Sequence, residues 1–344
     1  MSYDAVLFVS FGGPEGPDEV MPFLENVLRG KPVPRERMLE VAEHYQHFGG
    51  VSPINAQNRA LIDALSEAMK SEGPHLPIFW GNRNWHPYIT DALREMKQQG
   101  VKRAIAFVTS AFSCYSGCRQ YRENIQAARA EIGEGAPEVD KIRVYYNHPG
   151  FVEAQVDYVT QALDALGSDR EAAQLIFTAH SIPQSMSDGS RYVWQLEEAC
   201  RLVAERLNWT NYRLVYQSRS GSPRIPWLEP DICDYIEAEH AADRLKAAVI
   251  VPIGFISDHM EVLFDLDTEA VELCQKLDLP MVRAKTVGVH PSFVGAVREL
   301  IAERAENWPG RAAVGGHGPS HDVCPIDCCS YQPAGRPTDA SARS

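Results

Sequence analysis

The 344-residue chain has no run of 18 or more apolar residues, and a helix needs about 20 to cross a bilayer. Its longest apolar stretch, Ala247 to Ile256, is broken by Pro252 and Gly254 and reads as a buried strand. Excess positive charge is missing: the net charge is −13, so the basic face of a nucleic-acid binder is not expected. Eight cysteines are too few to staple a chain of this length, and most are expected to be reduced. Cys200, Cys233 and Cys274 fall singly in helix-like segments and read as small buried hydrophobes. Met1-Ser2-Tyr3-Asp4 has no basic n-region and enters a strand at once, so no signal peptide is expected. These absences together lead to an expected cytoplasmic location. A phosphate-binding fingerprint is absent as well. Gly12-Gly13-Pro14-Glu15-Gly16 puts Pro and Glu where phosphate-facing amides are wanted, and no Lys-Ser or Lys-Thr follows.

What is present reads as parallel α/β. Apolar residues make up 44%, enough for a sizeable core, and the length allows two domains of ordinary size. Apolar, β-rich runs recur at Ala5–Val9, Pro77–Trp80, Ala104–Val108 and Ile142–Tyr145, and again at Gln174–Thr178, Arg213–Tyr216, Ala247–Val251 and Met281–Ala284. Between them, Ala60–Met69, Pro87–Gln98, Val152–Leu166 and Tyr192–Leu207 carry apolar residues at helical spacing. Alternation of this kind predicts two similar domains of four strands each, with a cleft between them. A weak echo links Phe8–Pro14 with Phe177–Pro183. The first crossover, Gly12 to Leu76, is far longer than one helix requires and is expected to build a lid or pocket wall. From Pro309 onward the chain is rich in Gly, Pro, Ser and Ala and is expected to be mobile except around its cysteines.

Two motifs sit where parallel strands end, the place at which such sheets bind ligands. One is Phe177-Thr178-Ala179-His180-Ser181-Ile182-Pro183; the other is Pro252-Ile253-Gly254-Phe255-Ile256-Ser257-Asp258-His259-Met260-Glu261. An imidazole and a carboxylate together can hold a divalent metal and move protons at neutral pH. His180 could equally be a satisfied structural histidine. Glu261 has two readings. It could close a capping box from Asp258, or it could begin an acidic ladder with Asp265 and Glu269, Glu272 lying close by. Like charges at that spacing cost about 0.2–0.5 kcal/mol per pair, and a ladder along a cleft would suit delivery of a cation. The loop Thr109 to Tyr121 gathers hydroxyls, rings and Arg119, which suits a flat ligand bearing carboxylates. Gln217-Ser218-Arg219-Ser220-Gly221-Ser222-Pro223 is similar in kind. Cys114 and Cys118 alone are a weak zinc signal.

The chain resembles the ferrochelatases, which insert ferrous iron into a porphyrin. The resemblance runs from about Asp4 to Trp308. It rests on Ser10-Phe11-Gly12-Gly13-Pro14, Gly49-Gly50-Val51-Ser52-Pro53-Ile54, Gly81-Asn82-Arg83-Asn84-Trp85, Ser116-Gly117-Cys118-Arg119-Gln120-Tyr121, the His180 motif, Gln217-Ser218-Arg219-Ser220-Gly221, Pro226-Trp227-Leu228-Glu229-Pro230 and Asp258-His259-Met260-Glu261-Val262-Leu263. The wording is nearest the actinobacterial, coproporphyrin type. The resemblance implies the type II chelatase fold, with two Rossmann-like domains, parallel four-stranded sheets and a porphyrin cleft between them. The expected division is 1–116 with 290–310, then 117–289, then a cysteine-bearing tail at 311–344, with the last helix returning to the first domain. It implies His180 and Glu261 as catalytic residues and metal ligands, and Asp265 and Glu269 as the acidic path of the metal. It implies Ser52, Tyr121, Arg29, Arg83 and Phe11 as porphyrin contacts; firmicute members carry Tyr in place of Phe11. Trp227 has both a packing and a purely structural reading.

Fe²⁺ is the expected metal substrate and coproporphyrin III the expected porphyrin. Glu25, Arg29, Lys31, Arg35, Glu36 and Arg37 make the segment Met21 to Met38 too polar to dip far into lipid, and its cations suit four propionates. The expected enzyme is a monomer with no nucleic-acid partner and no stable membrane association. Protoporphyrin IX as substrate, a cobalt chelatase, and a haem or porphyrin carrier without turnover remain the alternatives. Cys324, Cys328 and Cys329 crowd six residues of the tail. They read as incidental, as a zinc site with His317 or His321, or, as some ferrochelatases imply, as ligands of a [2Fe–2S] cluster completed by Cys118 or Cys200.

Overall fold

The computed structural model describes residues 2–30, 33–220, 224–306, 308 and 310–331. Strands β1 (Ala5–Ser10), β2 (Ile78–Asn82), β3 (Arg103–Val108) and β4 (Glu138–Lys141) form one parallel sheet in the order β2-β1-β3-β4. Strands β5 (Ala173–His180), β6 (Tyr212–Gln217), β7 (Ala247–Val251) and β8 (Met281–Arg283) form a second in the equivalent order β6-β5-β7-β8. The expected α/β architecture of two four-stranded parallel sheets is therefore the observed one. In both sheets the strand order reverses between the first and third strands, which opens a crevice at their carboxyl ends. The Phe8–Pro14 and Phe177–Pro183 echo marks that equivalence, since each segment closes the first strand of its sheet.

Helices α1 (Val20–Val27), α2 (Arg35–His47) and α3 (Ile54–Glu72) fill the first crossover. Helices α4 (Ile89–Gln98) and α5 (Gln120–Ile132) follow β2 and β3, and α6 (Pro149–Ala165) joins the two sheets. In the second half, α7 (Gln184–Asp188) and α8 (Tyr192–Arg206) follow β5, and α9 (Ile232–Ala241) follows β6. Then α10 (Met260–Phe264) and α11 (Ala270–Lys276) follow β7, and α12 (Pro291–Ala305) comes after β8.

Alternation along the strands sorts the core into layers. Val6 and Phe8 of β1, Ile105 and Phe107 of β3, and Phe177, Val249 and Val251 of the second sheet share one cluster with α3, α6, α8 and α12. Ala5, Leu7 and Val9 face the other way, beneath α4 and α5. Ile176, Val215 and Ile250 do the same beneath α9 and α10. Each fully buried Phe contributes about 1.5–3 kcal/mol. Phe8, Phe107, Phe177 and Phe293, all at 0% exposure, therefore bind the two halves through one shared core.

One expected strand is displaced. The apolar run Ile142–Tyr145 follows β4 rather than forming it, and its residues lie buried in the shared core. The paired segment is the more polar Glu138–Lys141, in register with Arg103–Ala106. Apolarity reports burial, whereas pairing at a sheet edge is set by the neighbouring strand. The fourth strand of the first sheet, β4, thus lies at Glu138–Lys141, after α5. The tail is also better anchored than expected before its cysteines. Arg143 Nη2 donates to the Ala312 carbonyl at 2.7 Å, and Asn147 Nδ2 to the Gly318 carbonyl at 2.9 Å.

The long first crossover reaches across the molecule. Val20, Phe23, Leu24, Ala42 and Tyr45 cluster with Met260 of α10, and Phe11 and Trp85 pack against that cluster. The Asp258 backbone N–H donates to Gln57 Oε1 at 2.8 Å. Among the described residues no helix is long and apolar enough to cross a membrane.

Candidate active site

His180 ends β5, and Glu261 opens α10 beyond β7. Gly254 brings their segments together: a Cβ there would stand 2.7 Å from Ala179 Cβ, so a larger residue would push the β7 loop off β5. His180 Nδ1 bonds the Ser181 carbonyl. A carbonyl only accepts, so Nδ1 carries the proton and Nε2 is left to face Glu261 Oε2 at 3.5 Å. Both side chains stay reachable, at 32% and 47% exposure. Burial disfavours the imidazolium. The Glu261 hydrogen bond and charge, the Ser181 carbonyl and Asp265 outweigh it and raise the His180 pKa above 6.5. The capping-box reading of Glu261 is not realised. His259 is the N-cap, and Asp258 instead takes Arg283 Nη1 at 3.1 Å.

The acidic ladder does not follow a plain α-helical stripe. A π-helical turn runs from Asp265 to Glu269 between α10 and α11. Such turns widen a helix by one residue and occur often at functional sites. Asp265 accepts Gln217 Nε2 at 3.1 Å and the Ser218 hydroxyl. Ser218 sits at φ +61° to do so, a left-handed conformation that costs about 1–3 kcal/mol. Burial, reinforced by the charges of Glu261 and Glu269, pushes the Asp265 pKa up to about 7. Glu269 is raised by burial and then by Asp231 and Glu272, so the ladder continues outward onto the start of α9.

Four residues of the site escape the sequence pattern. His259 Nδ1 lies 3.9 Å from Glu261 Oε2, and burial lowers its pKa, so it faces the carboxylate as a neutral ring. Its place two residues before Glu261 was the available signal. Gln217 and Ser218, quoted only as part of a polar loop, hold Asp265. Tyr45 of α2 is buried close enough to Glu261 for that charge to raise its pKa further beyond the effect of burial. Nothing in the local sequence marks that contact.

The first half contributes rings and a cation. The Arg83 guanidinium lies 5.7 Å from the Phe11 ring centre and 5.5 Å from that of Tyr121, and Nη1 donates to the Ser116 carbonyl at 3.2 Å. Burial lowers the Arg83 pKa and lifts that of Tyr121 to about 12, so the ring stays neutral. Ser52 is buried against Gly13, where a Cβ would come within 2.7 Å of its own. Trp227 bridges Pro183, next to the His180 segment. Arg29 stands apart, exposed beyond α1 and close to the Tyr88 hydroxyl. Lys31 and Gly221 lie outside the described residues.

Residues 3–305 match the family model described as Ferrochelatase. The chain belongs to the ferrochelatase family. It is 58% identical to a protein named Ferrochelatase from Rhodopirellula baltica, over 98% of both chains. It is 51% identical to the Coproporphyrin III ferrochelatase of Streptomyces coelicolor, covering 99% of this chain and 97% of that one. With the enzyme of that name from Mycobacteroides abscessus it shares 48% identity, over 96% and 99%. Among solved structures, SirB from Bacillus subtilis with Fe3+ superposes with a TM-score of 0.56 at 14% identity, over 90% of this chain and 99% of that one. The sirohydrochlorin chelatase SirB in complex with cobalt gives 0.55 at 12%, with the same coverage. These two share the fold. Family membership makes the chain a metal-insertion enzyme.

The tail thiols converge on the body of this family member. Cys118 lies in a second π-helical turn, Tyr115–Arg119, and its sulfur contacts those of both Cys324 and Cys329. These contacts and Lys141 hold the Cys118 thiol far below its usual range, while its two partners are pushed up. Cys328 Sγ is 3.7 Å from Cys329 Sγ and 3.9 Å from His321 Nε2. Arg119 Nη1 donates to the carbonyls of Ile326 and Cys328, fixing the tail loop. Cys200 is buried in α8, and His317 packs on Trp194. Of the two cysteines considered as a fourth ligand, Cys118 is the one the fold brings to the tail.

Proposed function

We propose that this chain inserts Fe²⁺ into coproporphyrin III, giving Fe-coproporphyrin III for haem biosynthesis. The observation that carries the reading is the His180–Glu261 pair, 3.5 Å apart, at the inner end of the Asp265–Glu269 ladder. Metalation must strip waters from the ion and remove two pyrrole protons. In the proposed sequence Fe²⁺ passes from Glu269 to Asp265 and then to Glu261 and His180. With Nδ1 protonated, Nε2 of His180 is the atom that binds the metal or accepts a pyrrole proton. Glu261 accepts the second pyrrole proton, and neutral His259 steadies the carboxylate. Arg83 meets a propionate, while Phe11, Tyr121 and Trp227 grip the macrocycle so that binding energy goes into bending it. Ser52 is assigned to the porphyrin wall, and exposed Arg29 to an outer propionate.

The names of the relatives at about half identity support coproporphyrin III, as does the polar, cation-bearing crossover. The enzyme is taken to act in the cytoplasm as a monomer without stable membrane association. An anaerobic absorbance assay tests the reaction, with coproporphyrin III and protoporphyrin IX each offered Fe²⁺ and Co²⁺. Coproporphyrin III with Fe²⁺ is expected to give the highest kcat/KM. Porphyrin binding without metalation overturns the enzyme reading, and a preference for protoporphyrin IX overturns the substrate.

The thiol site fits a [2Fe–2S] cluster, because four free sulfurs meet with Lys141 beside them and no disulfide joins them. Cys118, Cys324, Cys328 and Cys329 would hold it. Such a cluster, when bound, cross-links tail to body and offers a one-electron couple. Anaerobically purified protein is expected to be coloured and to carry two iron and two sulfide per chain, following the cluster's formula. The Cys118→Ser variant should lose both. Colourless, fully active wild-type protein would remove the cluster, and bound zinc would replace it.

A further inference from the structure

Gln217 ends β6 with 1% exposure, and its side-chain oxygen Oε1 is buried without a hydrogen-bond partner among the described residues. A buried carbonyl left without a donor is costly and calls for an explanation. The amide is not free to turn and relieve it. Its Nε2 donates to Asp265 Oδ2 at 3.1 Å, and turning it over would set oxygen against oxygen. Gln217 is also the register partner of His180 across the parallel β5–β6 ladder. Side chains at paired positions leave a sheet on the same face. The orphan oxygen thus belongs to an amide tip held at Asp265, on a strand beside the one that delivers His180. A neutral amide oxygen is an ordinary ligand for a divalent cation and adds no charge to a crowded acidic site.

Building on the metal-insertion reading, we propose that Gln217 binds the metal substrate. Its amide nitrogen holds Asp265, and its carbonyl oxygen takes a coordination position on the divalent ion as it moves from Asp265 to His180 and Glu261. Two simpler roles compete with this one. The amide could serve only to anchor Asp265, or a buried water could satisfy Oε1.

Three variants of the full-length protein separate these roles. Gln217→Met keeps the shape and removes both polar atoms. Gln217→Glu restores an oxygen but not the N–H. Ser218→Gly removes the other donor to Asp265 and suits the left-handed backbone. Co²⁺ affinity is measured by calorimetry without porphyrin, and KM for Fe²⁺ and for coproporphyrin III by the anaerobic assay. Gln217→Met should raise the Co²⁺ Kd and the Fe²⁺ KM about tenfold, with porphyrin KM within about twofold. Gln217→Glu should bring the Co²⁺ Kd back to within about threefold of wild type, and Ser218→Gly, which loosens Asp265 without touching Oε1, should raise it less than Gln217→Met does. Gln217→Glu or Ser218→Gly binding Co²⁺ as weakly as Gln217→Met would reduce Gln217 to an anchor and overturn the proposal. Unchanged metal constants in Gln217→Met would point to water and overturn it too. Should Gln217→Met fail to fold by circular dichroism, the Gln217→Glu result decides alone: a tenfold loss of Co²⁺ affinity overturns the ligand role. Wild-type protein that binds Co²⁺ through Gln217 yet leaves coproporphyrin III unmetalated would overturn the reaction while keeping this assignment.

Discussion

The two sheets share one strand order and place different chemistry at equivalent strand ends. β1 leads to Phe11 and β5 ends at His180; β2 leads to Arg83 and β6 to Gln217 and Ser218. β3 leads to the ring-bearing loop that ends at Tyr121, and β7 to Asp258 and Glu261. One half presents a cation between two aromatic rings. The other presents two histidines, the carboxylates of Glu261, Asp265 and Glu269, and an amide. Both loops after the third strand of a sheet contain a π-helical turn, Tyr115–Arg119 in one and Asp265–Glu269 in the other. A scaffold that repeats can therefore divide its work. In the proposed assignment the first half holds a flat acidic ligand, and the second handles a metal and its protons.

The division is open to attack from either side. The largest effect is expected in the second half. His180→Ala and Glu261→Gln should each lower kcat by about 10²–10⁴, with porphyrin KM and melting temperature little changed. Near-normal turnover in either would remove that residue from the chemistry. In the first half, Arg83→Met should raise porphyrin KM by roughly 10–100-fold, the worth of a hydrogen bond to a charged group, while kcat stays within a few-fold. A fall in kcat at constant KM would break the comparison.

Next comes pH. Burial raises the Asp265 pKa to about 7, so the carboxyl is mostly protonated below that value and must lose its proton to bind metal. The Fe²⁺ KM is expected to rise by up to about tenfold per pH unit below 7, following the fraction ionised. Asp265→Asn should flatten this dependence; an unchanged slope would assign the proton elsewhere. The stability effect runs the opposite way. A carboxyl whose folded pKa is raised keeps its proton when the unfolded chain has released it. It therefore stabilises the fold at low pH relative to high, and that contribution fades between about 3.8 and 7. The smallest change is expected at exposed Arg29, where Ala should alter porphyrin KM by less than about threefold because a solvated charge contributes little. A tenfold change would move the rim of the porphyrin site outward.

Much of this was legible in the chain. Alternating strand and helix patterns gave two four-stranded parallel sheets, because side-chain periodicity is a local property that burial merely reads. His180 and Glu261 stood out because each lies where a buried strand gives way near a Gly or Pro and the chain must leave the sheet. The displaced fourth strand was not legible. Ile142–Tyr145 is apolar because it lies in the shared core, and pairing went to Glu138–Lys141 through the edge of β3. The acidic ladder was read as a straight helical stripe, and the π turn that bends it has no signature in spacing alone.

Local patterning fixes most of the elements, the strand-end motifs and the cysteine-rich tail, since each is written within a few neighbouring residues. Tertiary structure alone decided which distant groups meet. Cys118 joins Cys324 and Cys329 across some 200 residues of chain. Tyr45 reaches Glu261 through the crossover helix, and Gln217 stands beside His180 and holds Asp265. Such contacts depend on how two sheets and a shared core fix the angles of loops far apart in sequence, and no local pattern carries that information.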